Sequence, residues 1–239
     1  MANGGFKTVL VLFAVALAAG VPHAQTQPAA GKPNDLELVQ KLIGIRRDYQ
    51  KTLEQLRVHY YNAQDLERMR WAEEELRHFH RIPKHAFILD LDVPPQNLNG
   101  NQNIPEANKL FMWAMQYKDK GWGNDYTDNQ RRAELIFQEI LTKYPQSNKI
   151  DEVAFMLGDI YESKAYKQYY RAAEYYMRCV QWNIKTQSEA RIRAARIYDK
   201  QLNNRAKAIQ MYREVTSHET NAQRTQEAQK RLAELSGSK

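Results

Sequence analysis

Apolar residues recur along the first third of the chain at Leu38, Leu42, Ile45, Tyr49, Leu56, Ala63 and Leu66. The steps follow a heptad, with Thr52 and His59 at the skipped positions, so residues 35–82 predict a long amphipathic helix. Asn34 or Asp35 can cap its start. Pro83 ends it, and Gly44 is its only glycine. Tyr61-Asn62-Ala63-Gln64-Asp65 is a polar stretch where one helix could become two. Acidic and basic residues balance here, which suits either a coiled coil between copies or a hairpin whose seam packs on the same chain.

Residues 83–106 read as a linker. His85–Val93 alternates apolar residues with Asp90 and Asp92, a pattern for an extended segment lying across a helical surface. Two nearby aspartates could serve acid–base chemistry, but no nucleophile or base accompanies them. Pro94–Pro105 is rich in Asn, Gln and Pro and marks a domain boundary.

From residue 107 the pattern repeats. Leu157-Gly158, Tyr161, Ala172, Tyr176 and Cys179 are matched in order by Ala194-Ala195, Tyr198, Ala208, Tyr212 and Val215. An earlier unit supplies Trp113-Ala114, Tyr117, Ala133, Phe137 and Ile140, closed by Pro145. Small residues such as Gly158 and Ala195 predict close approach of the first helix of a pair to its partner. Ala133, Ala172 and Ala208 play the same part from the second helix. The aromatics fill the space to the next pair, and such pairs bury their faces only by stacking. Ala228, Leu232 and Leu235 on one face of 222–235 predict a capping helix.

This pattern resembles the tetratricopeptide repeat family, with Gly121–Asp125 departing from it as an insertion between the helices of the first unit. The resemblance implies an all-α superhelix of three pairs over 107–239, whose first helices line a concave groove that takes a partner peptide or helix. The groove positions it implies are Asn108, Phe111, Met115 and Lys118 in unit one. Unit two gives Glu152, Phe155, Asp159 and Glu162; unit three gives Glu189, Ile192, Arg196 and Asp199. The expected seat is an apolar centre of Phe111, Met115, Phe155 and Ile192 with a mixed charged rim. The order of segments is also similar to that of the periplasmic Tol-associated cell-division coordinators. The repeat-built lipoproteins of the outer-membrane assembly machine are less similar, because Val21 stands where lipid attachment needs Cys.

The N-terminus adds an address. Lys7, an apolar run from Thr8 to Ala19, and small residues after it have the three-part shape of a secretory signal over residues 1–24. The run is short of the ~20 residues of a membrane span. Residues 25–34 read as a flexible leader. An exported, most simply periplasmic, location follows.

The formal charge of +7 favours acidic partners without pointing to nucleic acid. Lys164–Arg213 holds twelve Lys and Arg against three acidic residues, interleaved with Tyr166, Tyr169, Tyr170, Tyr175 and Tyr176. This segment reads as a solvated convex face, or as a contact with anionic envelope polymer or lipid. His78 and His80 are two apart and diverge on a helix, so they read as solvated or helix-capping rather than as metal ligands. Cys179 is expected to be a buried, inert thiol. No nucleophile elbow, phosphate loop or metal-helix motif occurs. The expectation is a non-catalytic scaffold without cofactor or metal, binding envelope protein and self-associating through residues 35–82.

Overall fold

A computed structural model describes residues 33–82 and 84–237; the expected export signal, most of the leader, and Pro83 lie outside the described residues. The described chain is all-α. The long heptad segment is two helices, α1 (Pro33–Asn62) and α2 (Leu66–Arg81), folded into a hairpin. The polar break makes the turn. Gln64 takes a left-handed φ of 57°, and the Asp65 side chain accepts from the Arg68 N–H at 3.1 Å, capping α2. Leu53, Ala72 and Leu76 are buried in the hairpin, and Tyr49 packs on Phe79 with ring centroids 5.1 Å apart. Most of the heptad seam does not enter this contact: Leu38, Ile45, Leu56 and Leu66 remain exposed.

The linker carries a single turn, α3 (Leu89–Asp92). Next come α4 (Pro105–Tyr117) and α5 (Gly123–Lys143), then α6 (Ile150–Glu162) and α7 (Tyr169–Trp182). The third pair is α8 (Ala190–Arg196), extended by a π turn over Ile197–Gln201, and α9 (Arg205–His218); α10 (Ala222–Gly237) packs on α9 as the cap. From α4 on, each helix packs on the next, which stacks the pairs into a helical-repeat superhelix. The repeated small and aromatic residues make its core. Ala133, Ala172 and Ala208 are fully buried, as are Phe137, Tyr176 and Tyr212. Ala228 is fully buried under the cap, with Leu232 and Leu235 partly buried beside it.

The insertion of the first pair becomes helix. Gly121 and Gly123 take left-handed φ values of 77° and 59°, and Gly123–Asp125 start α5, which runs to 21 residues. The added length has a use: Asp128 on α5 receives a two-point hydrogen bond from Arg81 at the end of α2, at 3.0 and 2.7 Å. The hairpin is thereby joined to the repeats.

The linker is strapped across the second helices. Val93 is in the core. Tyr175 donates to the Asp92 carbonyl at 3.2 Å, Arg178 to the Pro94 carbonyl at 2.7 Å, and Trp182 to the Pro95 carbonyl at 3.2 Å. Arg171 pairs with the Asp92 carboxylate at 3.1 Å. Further along, Gln102 pairs with the α5–α6 loop through its N–H to Gln146 and its carbonyl from Asn148. Residues 84–106 are thus part of the folded unit, not a free spacer.

Candidate functional site

Two tyrosine series stitch the repeats together, and they position the first helices. Tyr161 on α6 donates to Glu134 on α5 at 2.8 Å; Tyr198, its counterpart after α8, donates to Glu174 on α7 at 3.1 Å. Tyr176 donates to Glu162 at 2.7 Å, and Tyr212 to Asp199 at 3.1 Å. Burial holds the hydroxyls of Tyr161, Tyr176 and Tyr198 well above their ordinary pKa, with the neighbouring carboxylates adding to it, so they stay protonated donors. Glu134 and Glu174 were not among the expected site residues; in the sequence they follow the small residues Ala133 and Ala172 by one and two positions.

Most of the twelve expected groove positions gather on one side of the stack, formed by α4, α6, α8 and α10. A chain of ion pairs crosses it. Lys118 at the end of α4 bonds to both Asp119 and Asp159. Asp159 also receives Arg193 from α8, and Arg193 reaches Glu162 at 3.4 Å and Glu189 at 3.1 Å. Arg196 makes a two-point bond to Glu227 on α10, at 2.7 and 2.5 Å. Asp199, in the π turn, receives Arg231 of α10 at 2.9 Å from each of two nitrogens. Burial opposes the charge on Lys118, but Asp119 and Asp159 more than offset it and raise its pKa. Burial likewise opposes ionisation of Asp159, yet Lys118 and Arg193 hold its carboxyl below the ordinary value. The rim is therefore charged and preorganised.

The expected apolar centre needs correction. Ile192 is fully buried, because α8 is enclosed between α7 and α9; its half-buried neighbour Arg193 faces the ladder instead and is the hub of the network. Phe111 is also buried, against Phe137 with centroids 5.7 Å apart. Phe155 is half-buried between Tyr176 and Arg193, with centroids and guanidinium each 5.6 Å away. Met115 is exposed, and Met112, one turn before it on the same side of α4, is exposed as well. Asn108 is half-buried and Glu152 exposed at the rim, Glu152 paired with Lys149 at 2.6 Å. The accessible apolar surface is thus Met112 and Met115 at the open end.

The basic, tyrosine-rich stretch is turned inward only in part: Lys164, Lys167, Lys185, Lys200, Arg205 and Arg213 are exposed. Arg171, Arg178 and Arg191 are buried, as are Tyr175 and Tyr176. Arg171 and Arg178 hold the linker, and Arg191 donates to the carbonyls of Thr186, at 3.0 Å, and Ile184. The burial of Tyr175 and Tyr176 fits a solvated face with its aromatics in the core, whereas Arg171, Arg178 and Arg191 are not part of such a face. Cys179 is buried, and burial pushes its thiol up to about 11, against a weaker opposing contact from Ser188 at 3.4 Å. It is unreactive at neutral pH. His78 is exposed, whereas His80 is half-buried with its Nε2 out of solvent.

Among the described residues no group of three or more His, Cys, Asp or Glu is placed to hold a metal ion. No described helix is long and apolar enough to cross a membrane. No family model, curated protein or solved structure matches the chain.

Proposed function

We propose that the chain is an exported, non-catalytic scaffold of the bacterial cell envelope, similar to tetratricopeptide proteins, that binds a peptide or helix of an envelope protein. The observation that carries this reading is the surface of α4, α6, α8 and α10: successive first helices with a fixed charged ladder and an exposed Met112–Met115 pair at its open end. Charges already held in place lose little freedom when a partner docks, and exposed methionines adapt to an apolar anchor. The test is partner capture from envelope extract by the wild-type chain and by a Met112→Glu/Met115→Glu variant. Loss of the partner in the variant supports the reading.

Self-association through α1 is part of the same proposal. The residues left exposed by the hairpin, Leu38, Ile45 and Leu56, keep the heptad spacing that a second copy of the helix would match.

A further inference from the structure

A cavity of about 180 Å³, partly open to solvent, lies where the hairpin meets the repeats, between α1, α2, the linker, α5 and α7. Its lining is unusual for a structural void. Arg46, Arg47, Lys84, Arg131 and Arg171 all border it, against two carboxylates, Asp92 and Glu134. Both carboxylates are already engaged: Asp92 by Arg171, and Glu134 by the hydroxyls of Tyr161 and Tyr166. The cationic excess is therefore not neutralised from within the site.

Three buried nitrogens of the lining have no hydrogen-bond partner: Nε of Arg131, Nε of Arg171 and Nε2 of His80. The Arg131 and Arg171 side chains are only 7% and 6% exposed. Arg131 is held by stacking on Tyr166, 4.1 Å from the ring, and by a long 3.8 Å contact to Glu134. Buried guanidinium donors left unpaired are costly. Arg131 and Arg171 border the cavity together with Arg46, Arg47 and Lys84, and five cationic side chains around one cavity suit an acceptor-rich anion. Ile43, Phe79 and Leu135 give the same cavity an apolar wall.

The titration of the neighbouring groups agrees. Burial, helped by Arg131, pulls Lys84 down to about 8. Burial, helped by Lys84 and Arg131 and opposed by Glu134 and Asp128, pulls His80 down to about 4. Both groups sit in surplus positive charge that a bound anion would relieve.

We propose that this cavity is a binding site for a small organic oxyanion, with a phosphate or carboxylate head against Arg131, Arg171 and Lys84 and an apolar body against Phe79 and Leu135. Arginine forks suit either head. Arg46 and Arg47 come from α1, Lys84 from the linker, and Arg131 and Arg171 from the repeats. The ligand would therefore also fasten the hairpin to the stack.

The test is calorimetric titration of the full-length chain with phenyl phosphate, benzoate and inorganic phosphate at constant ionic strength. Arg46→Gln/Arg47→Gln is the test variant. Arg57→Gln/Arg70→Gln, the same charge change elsewhere on the hairpin, is the control. Saturable binding of phenyl phosphate or benzoate, tighter than inorganic phosphate and weakened about tenfold or more in the test variant alone, is the expected result. Whichever organic probe binds tighter names the head group. No saturable binding of any probe, or equal weakening in test and control variants, overturns the proposal.

Discussion

Gly158 on α6 lies against the ring of Tyr176 on α7: a β-carbon at Gly158 would stand 2.6 Å from Cδ1 and 2.7 Å from Cε1. The ring is fully buried and its hydroxyl is fixed on Glu162, so it cannot swing aside. Gly158→Ala should therefore destabilise the protein. Overpacking costs about 1–3 kcal/mol and outweighs the roughly 1 kcal/mol by which alanine is the better helix former. Urea unfolding followed by circular dichroism measures the difference. A midpoint equal to or above the wild type would contradict the close packing of α6 on α7.

The Arg196–Glu227 pair ties α8 to the cap. Arg196→Glu places like charges together, and amide exchange over residues 222–237 should quicken while α4–α7 keep their protection. Arg196→Glu/Glu227→Arg should restore it. The pair is partly exposed, so its coupling in a double-mutant cycle should be about 1 kcal/mol. Zero coupling would leave the cap to Ala228, Leu232 and Leu235 and to the Asp199–Arg231 pair.

His80 makes stability pH-dependent. Its folded pKa of about 4 lies below the ordinary 6.5, so between these values the unfolded chain binds the extra proton. Stability is then complete above pH 6.5 and declines as the pH falls toward 4. His80→Gln should decline less over that window, by about 2 kcal/mol after allowance for the ring's partial exposure. Denaturant titrations at several pH values in phosphate-free buffer supply the check; parallel profiles for the two proteins would refute it.

The exposed heptad face of α1 bears on oligomeric state. Leu38→Glu/Ile45→Glu removes two apolar residues that the folded monomer does not use. Light scattering should show self-association of the wild type and a monomer for the variant, with unchanged helicity. A wild type that is monomeric at high concentration would remove α1 from the proposed function.

Legibility in the sequence followed the range of the interactions. The small and aromatic repeat positions were readable because each side chain meets a neighbour in its own or the adjacent pair. Ala172 and Tyr176 are buried as their spacing requires. The hairpin turn was readable as a possibility, since Gln64 and Asp65 are local signals; the choice between a hairpin and a second copy depends on what α1 meets in space. Arg171 and Arg178 were misread because charge composition does not record burial. Their partners, Lys84 and Pro94, lie 87 and 84 residues away in the chain. The burial of His80 was unreadable for the same reason: Arg131 of α5 comes beside it only in the folded chain. At the candidate face, the shift from Ile192 to Arg193 follows from enclosure of the short α8 by α7 and α9, which spacing counted from Ala195 cannot register.

The most direct measurement on the central claim is partner capture from native envelope extract by three forms of the chain. These are the wild type, Met112→Glu/Met115→Glu on the open end of the first-helix face, and Ile184→Glu at an exposed apolar residue of the α7–α8 loop. The account predicts that one envelope protein is captured by the wild type and by Ile184→Glu, at moderate salt, and is lost from Met112→Glu/Met115→Glu. The same catch from all three forms, or one lost equally from both variants, would contradict it.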